Sequence, residues 1–368
     1  MAPRPVAPDA CGNAGPEPPV VPSVTRLSVL DLVPVRTDQT SADAVAASIS
    51  LARTADDLGF TRYWVAEHHN MPAVAATNPP VLIAVLAAAT ARIRLGSGGV
   101  MLPNHAPLVI AEQFALLEAA YPDRIDLGVG RAPGSDPVTS HVLRNGRDRE
   151  PVDTFPDDLT ALSLMMQPEG VHLSLGGRTY GLTATPAART APRVWLLGSS
   201  LYSAELAARL GLPYVFAHHF GGEQTLAALA RYREAFQPSE ATPEPVTIAV
   251  VNAIAAPTQE EADRLSMPQR RTMWRLRTGR SLAPQELVED AEAAPLAQAD
   301  QSAADEMARS WFVGTPGTVA EGLTALAEEF GTDEVMISPI AAAHRHTSAD
   351  AGPAREETLR LLAKELLC

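Results

Sequence analysis

Three short stretches of this chain concentrate the side chains that could handle protons or hold an anion. The first is Glu67-His68-His69-Asn70. An imidazole titrates near neutrality, so His68 and His69 are candidates for acid–base work, or for hydrogen bonding to a bound ring, with Glu67 beside them. Side chains alternate along an extended strand end, which puts Trp64, Ala66 and His68 on one side and Val65, Glu67 and His69 on the other. Only one of the two imidazoles then faces a shared site. No carboxylate-plus-histidine set at ligand spacing accompanies this stretch, and the expectation is a site without metal. The second stretch is Gly198-Ser199-Ser200 with Tyr202 and Ser203, ahead of a helix from Ala204 to Leu210. Backbone N–H groups and hydroxyls at a helix start suit a phosphate, and the same residues would serve equally as a helix cap. The third stretch, Gly128 to Gly134, contributes Arg131, a fixed cation able to fork onto the same anion. Its glycines resemble a dinucleotide loop, but the third is misplaced and Pro133-Gly134 opens a loop where a helix should start.

The elements that must carry these residues alternate. Short aliphatic runs predict strands at Leu27–Pro34, Arg62–Glu67, Ile93–Leu102, Ile125–Gly130, Val194–Gly198, Tyr214–Ala217, Val246–Ile254 and Glu334–Ile340. Amphipathic runs lie between them, such as Ala44, Ile49, Ala52, Ala55 and Leu58 ended by Gly59, and Pro79 and Pro107 suit first turns. Eight strand–helix units predict a (β/α)8 TIM barrel. A doubly wound sheet would need a glycine fingerprint after its first strand, where Val33 to Arg36 has none. Barrel chemistry sits at the carboxyl ends of the strands. The three stretches fall there, as do His218 and His219, so four of nine histidines gather at the mouth. Insertions are expected after strands four and seven, over Pro133–Pro192 and Pro257–Phe312; His344-Arg345-His346 reads as a solvated loop.

A length of 368 residues with 46% hydrophobic and 20% charged residues can bury a full core. The organisation expected is a disordered Pro-rich tail over residues 1–24 and one barrel domain over 25–368. A net charge of −14 repels a phosphate backbone and an anionic membrane surface, and there is no apolar span or signal-type h-region. Nucleic acid and membrane are therefore not expected as partners. Two cysteines, Cys11 and Cys368, build no disulfide framework, which suits the cytoplasm.

The runs Trp64–Pro72, Arg94–Pro107, Ala111–Phe114, Arg124–Gly134 and Trp195–Ser200 together resemble the bacterial luciferase-like, flavin-dependent oxidoreductases, over about Leu27 to Leu367. Within that family the chain is most similar to the subgroup represented in antibiotic tailoring. The resemblance implies a usually dimeric barrel that takes FMN, as FMNH2, at its mouth and uses O2 to oxygenate a small organic substrate, with electrons from a separate NAD(P)H:flavin reductase. It implies that Arg131, Ser199, Ser200, Tyr202 and Ser203 hold the FMN phosphate and that Gly98-Gly99 form a non-proline cis peptide under the ring. His68 would stand beside the reactive flavin face with Glu67 before it; after strand six His219 holds the more typical position at the flavin, with the preceding His218 as the alternative imidazole. Pro80 and Ala76 stand where relatives often have Glu and Ser, implying an unusual substrate pocket after His69. The alternatives are a deazaflavin (F420)-dependent dehydrogenase or reductase on the same barrel, and a flavin-binding protein without turnover.

Overall fold

The computed structural model describes residues 24–144, 151–222 and 224–367, so the expected tail lies, apart from Val24, outside the described residues. The strands are β1 (Arg26–Asp31), β2 (Arg62–Val65), β3 (Arg94–Ser97), β4 (Val100–Met101), β5 (Ile125–Gly130), β6 (Val171–Leu175), β7 (Arg178–Leu182), β8 (Arg193–Gly198), β9 (Tyr214–Phe216), β10 (Thr247–Ala255), β11 (Phe312–Gly314) and β12 (Glu334–Pro339). Parallel pairing runs β10-β12-β1-β2-β3-β5-β8-β9, and β9 pairs back onto β10. Eight parallel strands thus close on themselves, and the fold is a (β/α)8 TIM barrel.

The helices are α1 (Ser41–Asp57), α2 (Pro79–Ala89), α3 (Pro107–Ala120), α4 (Pro137–Leu143), α5 (Pro151–Met165), α6 (Leu201–Arg209), α7 (Thr225–Ala235), α8 (Gln259–Arg277), α9 (Val288–Ala293), α10 (Gln298–Met307), α11 (Pro316–Phe330) and α12 (Pro353–Leu366). Their starts follow local chemistry. Thr40 and Asp43 form a reciprocal capping box on α1, while Pro79 and Pro107 occupy first turns whose N–H groups need no partner. The insertion after β5 holds α4, α5 and the antiparallel β6–β7 hairpin; the one after β10 holds α8, α9, α10 and β11. Two details depart from the sequence expectation. The third strand is broken into β3 and β4 at Gly98-Gly99, and β11 extends the sheet beside the rim of β10 with three residues, too few for an alternating pattern to register.

Inside the barrel the residues stack in layers. At the closed end Arg62, 3% exposed, donates to Asp126 at 2.7 Å and to Glu334 at 2.6 and 3.0 Å, joining β2 to β5 and β12. Above it Leu30, Trp64, Trp195, Val215, Ile248, Val250 and Met336 make a separate apolar cluster, with the two indoles edge-on at 5.5 Å. Glycine permits close approach at two points around this layer. A Cβ on Gly96 would lie 2.6 Å from Trp64 Nε1, and one on Gly128 would lie 2.0 Å from the Ser97 carbonyl oxygen. Both residues lie within strands that wall the lumen.

The insertion after β10 is tied to the loop beyond β12. His344, expected in a solvated loop, instead bonds Glu261 through Nε2 at 2.6 Å and Glu289 through Nδ1 at 2.7 Å, and the Arg345 N–H donates to Glu289. Partial burial works against the charged ring, but the bonds to Glu261 and Glu289 outweigh it and raise its pKa above the ordinary 6.5. A raised folded-state pKa stabilises fully below the unfolded value and loses that contribution as pH rises through the folded value. Thermal melts should therefore show wild type above His344→Asn by of order 1 kcal/mol at pH 6, after solvent screening, with the gap closing towards pH 9. A gap that widens with pH would contradict the clamp.

Candidate active site at the barrel mouth

The carboxyl ends of the strands open onto two adjoining cavities. One, of about 260 Å³, has Leu30, Trp64, Val215, Val250 and Met336 among its lining and carries Gly98, Gly99, Arg131, Ser199, Ser200 and Ser203 on its walls. The other, of about 290 Å³, is lined by His68, the loop residues Met71, Ala73 and Val74, the β12 end, and residues of α8. His219 and Phe220 line both, so they form the partition.

The first cavity has a positive pole. Ser200 is the N-cap of α6, and its hydroxyl is engaged with Ser203, whose own hydroxyl donates to the Ser200 carbonyl at 2.8 Å and meets Tyr214 Oη at 3.1 Å. Capping and cradle readings therefore both apply, to different atoms. Ser200 and Ser203 are spent on the helix start. Ser199 borders the cavity and its hydroxyl is not spent in this way, and it stands at the α6 start, where the Leu201 and Tyr202 N–H groups have no intrahelical acceptor. Arg131 completes the pole. Its guanidinium stacks on Tyr202 at 4.3 Å and has no carboxylate partner among the described residues, an unpaired cation held over a cavity that can hold an anion. Tyr202 positions Arg131 and does not itself line the cavity. The Gly98–Gly99 peptide is cis. Those two residues line the cavity by backbone alone, and a Cβ on Gly99 would press to 2.8 Å from the Gly128 carbonyl oxygen.

The histidine pairs separate as their spacing demands. His68 faces the second cavity, and its Nδ1 is buried without a partner; burial lowers its pKa, with the Glu67 charge opposing and His69 adding to the fall. His69 turns the other way and bonds Glu67 at 2.8 Å. His219, 8% exposed, also has an unpartnered Nδ1, and burial drives its pKa down to about 3, so the ring stays neutral across the physiological range. His218 points to the wall, bonded to Thr225 at 2.8 Å and edge-on to Phe330.

Glu67 lines neither cavity. It is 1% exposed; Oε1 meets the Nε2 atoms of His69 and His105 at 2.8 and 2.7 Å, and Oε2 accepts from the Met101 N–H at 3.0 Å. The premise that no carboxylate-plus-histidine set exists here is corrected, because the chain returns His105 from 38 residues away. The three ligand atoms lie within 4.8 Å of one another, a spacing that could hold a cation. The hydrogen bonds already satisfy the carboxylate, so the trio works as a clamp between the end of β2 and the turn after β4. Neither Ala76 nor Pro80 lines either of these two cavities. Ala76 is buried with its carbonyl accepting from the His68 N–H, and Pro80 sits in the first turn of α2.

A closed parallel barrel with an anion pole and an apolar chamber side by side at its carboxyl-end mouth defines a barrel enzyme. The chain belongs to the luciferase-like monooxygenase family, whose profile matches residues 25–334. A luciferase-like monooxygenase of Escherichia coli K12 is 40% identical over 319 residues, spanning 84% of this chain and 90% of that protein. The N-acetyl-S-alkylcysteine monooxygenase of Bacillus subtilis is 38% identical over 240 residues, 65% of this chain and 70% of that one. The crystal structure of apo-MsnO8 is 37% identical with a TM-score of 0.81, over 93% of this chain and 99% of that chain.

The clamp gives the site its first test. Burial pushes the Glu67 pKa up, but the His105 and His69 bonds and the Met101 N–H outweigh it and hold it below the ordinary 4.5. Its contribution is thus present above that value and lost as pH falls through the folded pKa. Glu67→Gln should cost about 1.5 to 3 kcal/mol in urea unfolding at pH 7, the scale of a hydrogen bond to a charged group, and less at pH 4. Equal stability at pH 7 would remove the clamp.

Proposed function

We propose that this protein is a two-component monooxygenase that uses reduced FMN and O2 on a small organic substrate, with the reduced flavin delivered by a separate NAD(P)H:flavin reductase in the cytoplasm. The observation that carries the reading is Arg131, an unpaired guanidinium opposite the α6 start in a cavity that adjoins the His68 chamber. The residues fit the group. Arg131, the Ser199 hydroxyl and the α6 N–H groups would hold the phosphate. The side-chain-free backbone of Gly98 and Gly99, with the Trp64 and Val250 layer, would bound the ring. When bound, reduced FMN supplies the activation of O2 that amino-acid side chains cannot.

The chain's own share is binding, orientation and proton control. His68 can take up or return a proton at its unpartnered Nδ1, and burial keeps the ring neutral and ready to accept. His219 stays neutral and serves as a hydrogen-bonding wall between cofactor and substrate. The apolar lining excludes bulk water from the reacting pair.

A homodimer is part of the proposal. Val81 and Val85 on α2, with Val109 and Leu116 on α3, are 40–61% exposed at helical spacing on neighbouring helices, and α2 has no charged residue. A second copy would cover this face. Sedimentation of a Val81→Lys/Leu116→Lys double variant should show a folded monomer where wild type is a dimer; an unchanged dimer would move the interface elsewhere.

Two substitutions test the chemistry. Arg131→Ala should weaken FMN binding by about tenfold to a hundredfold, a charge-assisted contact worth roughly 1.5 to 3 kcal/mol, while riboflavin, lacking the phosphate, binds both proteins alike. His68→Ala should bind FMN nearly normally and lose about 10²- to 10⁴-fold in turnover with reductase and substrate present. Unchanged FMN affinity in the first, preference for F420 over FMN, or full turnover in the second would each overturn the assignment it probes.

A further inference from the structure

The chamber that His68 faces has a composition that bears on what is oxygenated. Met273, Leu276 and Leu282 of the insertion stand with Leu32, Met71 and Ile340 of the barrel rim in its lining. One permanently ionised side chain lines it, Arg355, and that charge is committed: the guanidinium bonds Asp31 and donates to the Pro339 carbonyl at 2.9 Å. Asp31, fully buried, also accepts from Ser48, Tyr63 and the Val33 N–H, so the pair is a closed, neutral unit. Burial pushes both lining imidazoles towards the neutral form. The remaining hydrogen-bonding groups are uncharged. They are the Asn252 and Gln269 amides, the Thr272 and Ser338 hydroxyls, and Gln285, whose Nε2 donates to Gln269 Oε1 at 3.0 Å. Arg277, which donates to the Phe220 carbonyl, is exposed and is not among the residues that line the chamber.

A carboxylate or sulfonate entering this space would shed its hydration and meet no unpaired cation, a transfer that costs far more than an apolar chain recovers. The excess of 43 acidic over 29 basic residues adds a field of the same sign against it. A neutral chain with one oxygen function loses little, since an amide can replace its water. Building on the monooxygenase reading, we infer that the chamber admits a neutral, largely apolar organic substrate with one hydrogen-bonding group and discriminates against the corresponding anion, with α8 supplying the selecting wall.

The test is binding to the full chain, with and without FMN, by titration calorimetry at pH 7.5. The probes are 1-octanol, 2-octanone, octanoate and octane-1-sulfonate. The neutral probes should bind, and the anions should bind about tenfold more weakly or worse. Leu276→Arg places a cation on an exposed position of the chamber wall, 43% exposed, and should raise octanoate affinity about tenfold while leaving FMN binding as in wild type. Octanoate binding as tightly as octanol in wild type, absence of binding by either neutral probe, or no gain in Leu276→Arg would each overturn the inference. No turnover is measured, so the two readings fail separately. If FMN does not bind while the octanol–octanoate preference holds, the monooxygenase reading falls and the selectivity of the chamber is upheld.

Discussion

Arg62 lies in the barrel lumen with Asp126 on one side and Glu334 on the other, and Arg94 reaches Asp126 from the next strand at 2.8 Å. Arg62 and Arg94 together need both carboxylates for charge balance, and removing either would leave excess positive charge in the lumen, a loss on the scale of roughly 3–5 kcal/mol. The network fixes β2 against β5 and β12 at the closed end. Arg62 also lies 4.6 Å from the Trp195 ring centroid, so the ionic layer seats the indole layer above it. The Trp64 indole leaves no room for a Cβ on the neighbouring strand, so Gly96 stands beside it, and Gly128 lets β5 approach the Ser97 carbonyl and Leu197. Everything chemical is thereby displaced to the open end.

At that end the barrel provides a floor, and the insertions provide walls. The loop after β2, the α6 start and the turn after β9 come from the βα connections of the repeating pattern. The helical excursion after β10 is different, since it brings α8 across the mouth and is fastened back to the last strand's loop by His344. Anion pole and apolar chamber thus have separate structural origins. The first belongs to the barrel's repeat, while the second depends on a segment that could vary in length and sequence without disturbing strand pairing.

All eight barrel strands were legible from aliphatic runs, because parallel strands are buried on both faces and read as unbroken apolar segments. So was the gathering of His68, Arg131, Ser199 and His219 at the carboxyl ends, since strand order alone sends them there. Three features were not. Gly96 and Gly128 are set by close neighbours on strands distant in sequence, Trp64 and Asp126 for the first and Ser97 and Leu197 for the second. The partnership of Glu67 with His105 spans 38 residues and leaves no local pattern. The residues of α8 that line the chamber show only an amphipathic helix in sequence, and which surface that helix covers is a tertiary fact. Strand alternation separates His68 from Glu67 and His69, while the hydrogen bond that joins His69 to Glu67 is visible only in the structure.

The partition between the cavities is thin: one neutral imidazole and one phenyl ring, His219 and Phe220, border both. Phe220 is 42% exposed and packs against His219 with centroids 4.1 Å apart and the rings inclined at 40°. A ligand that turns this ring pair enlarges one compartment by taking volume from the other. Thermodynamic reciprocity then applies: whatever factor occupancy of the anion-pole side imposes on affinity in the apolar side must act equally in the reverse direction. Two adjacent rings therefore suffice to couple occupancy of the two sides, with no hinge and no movement of the barrel.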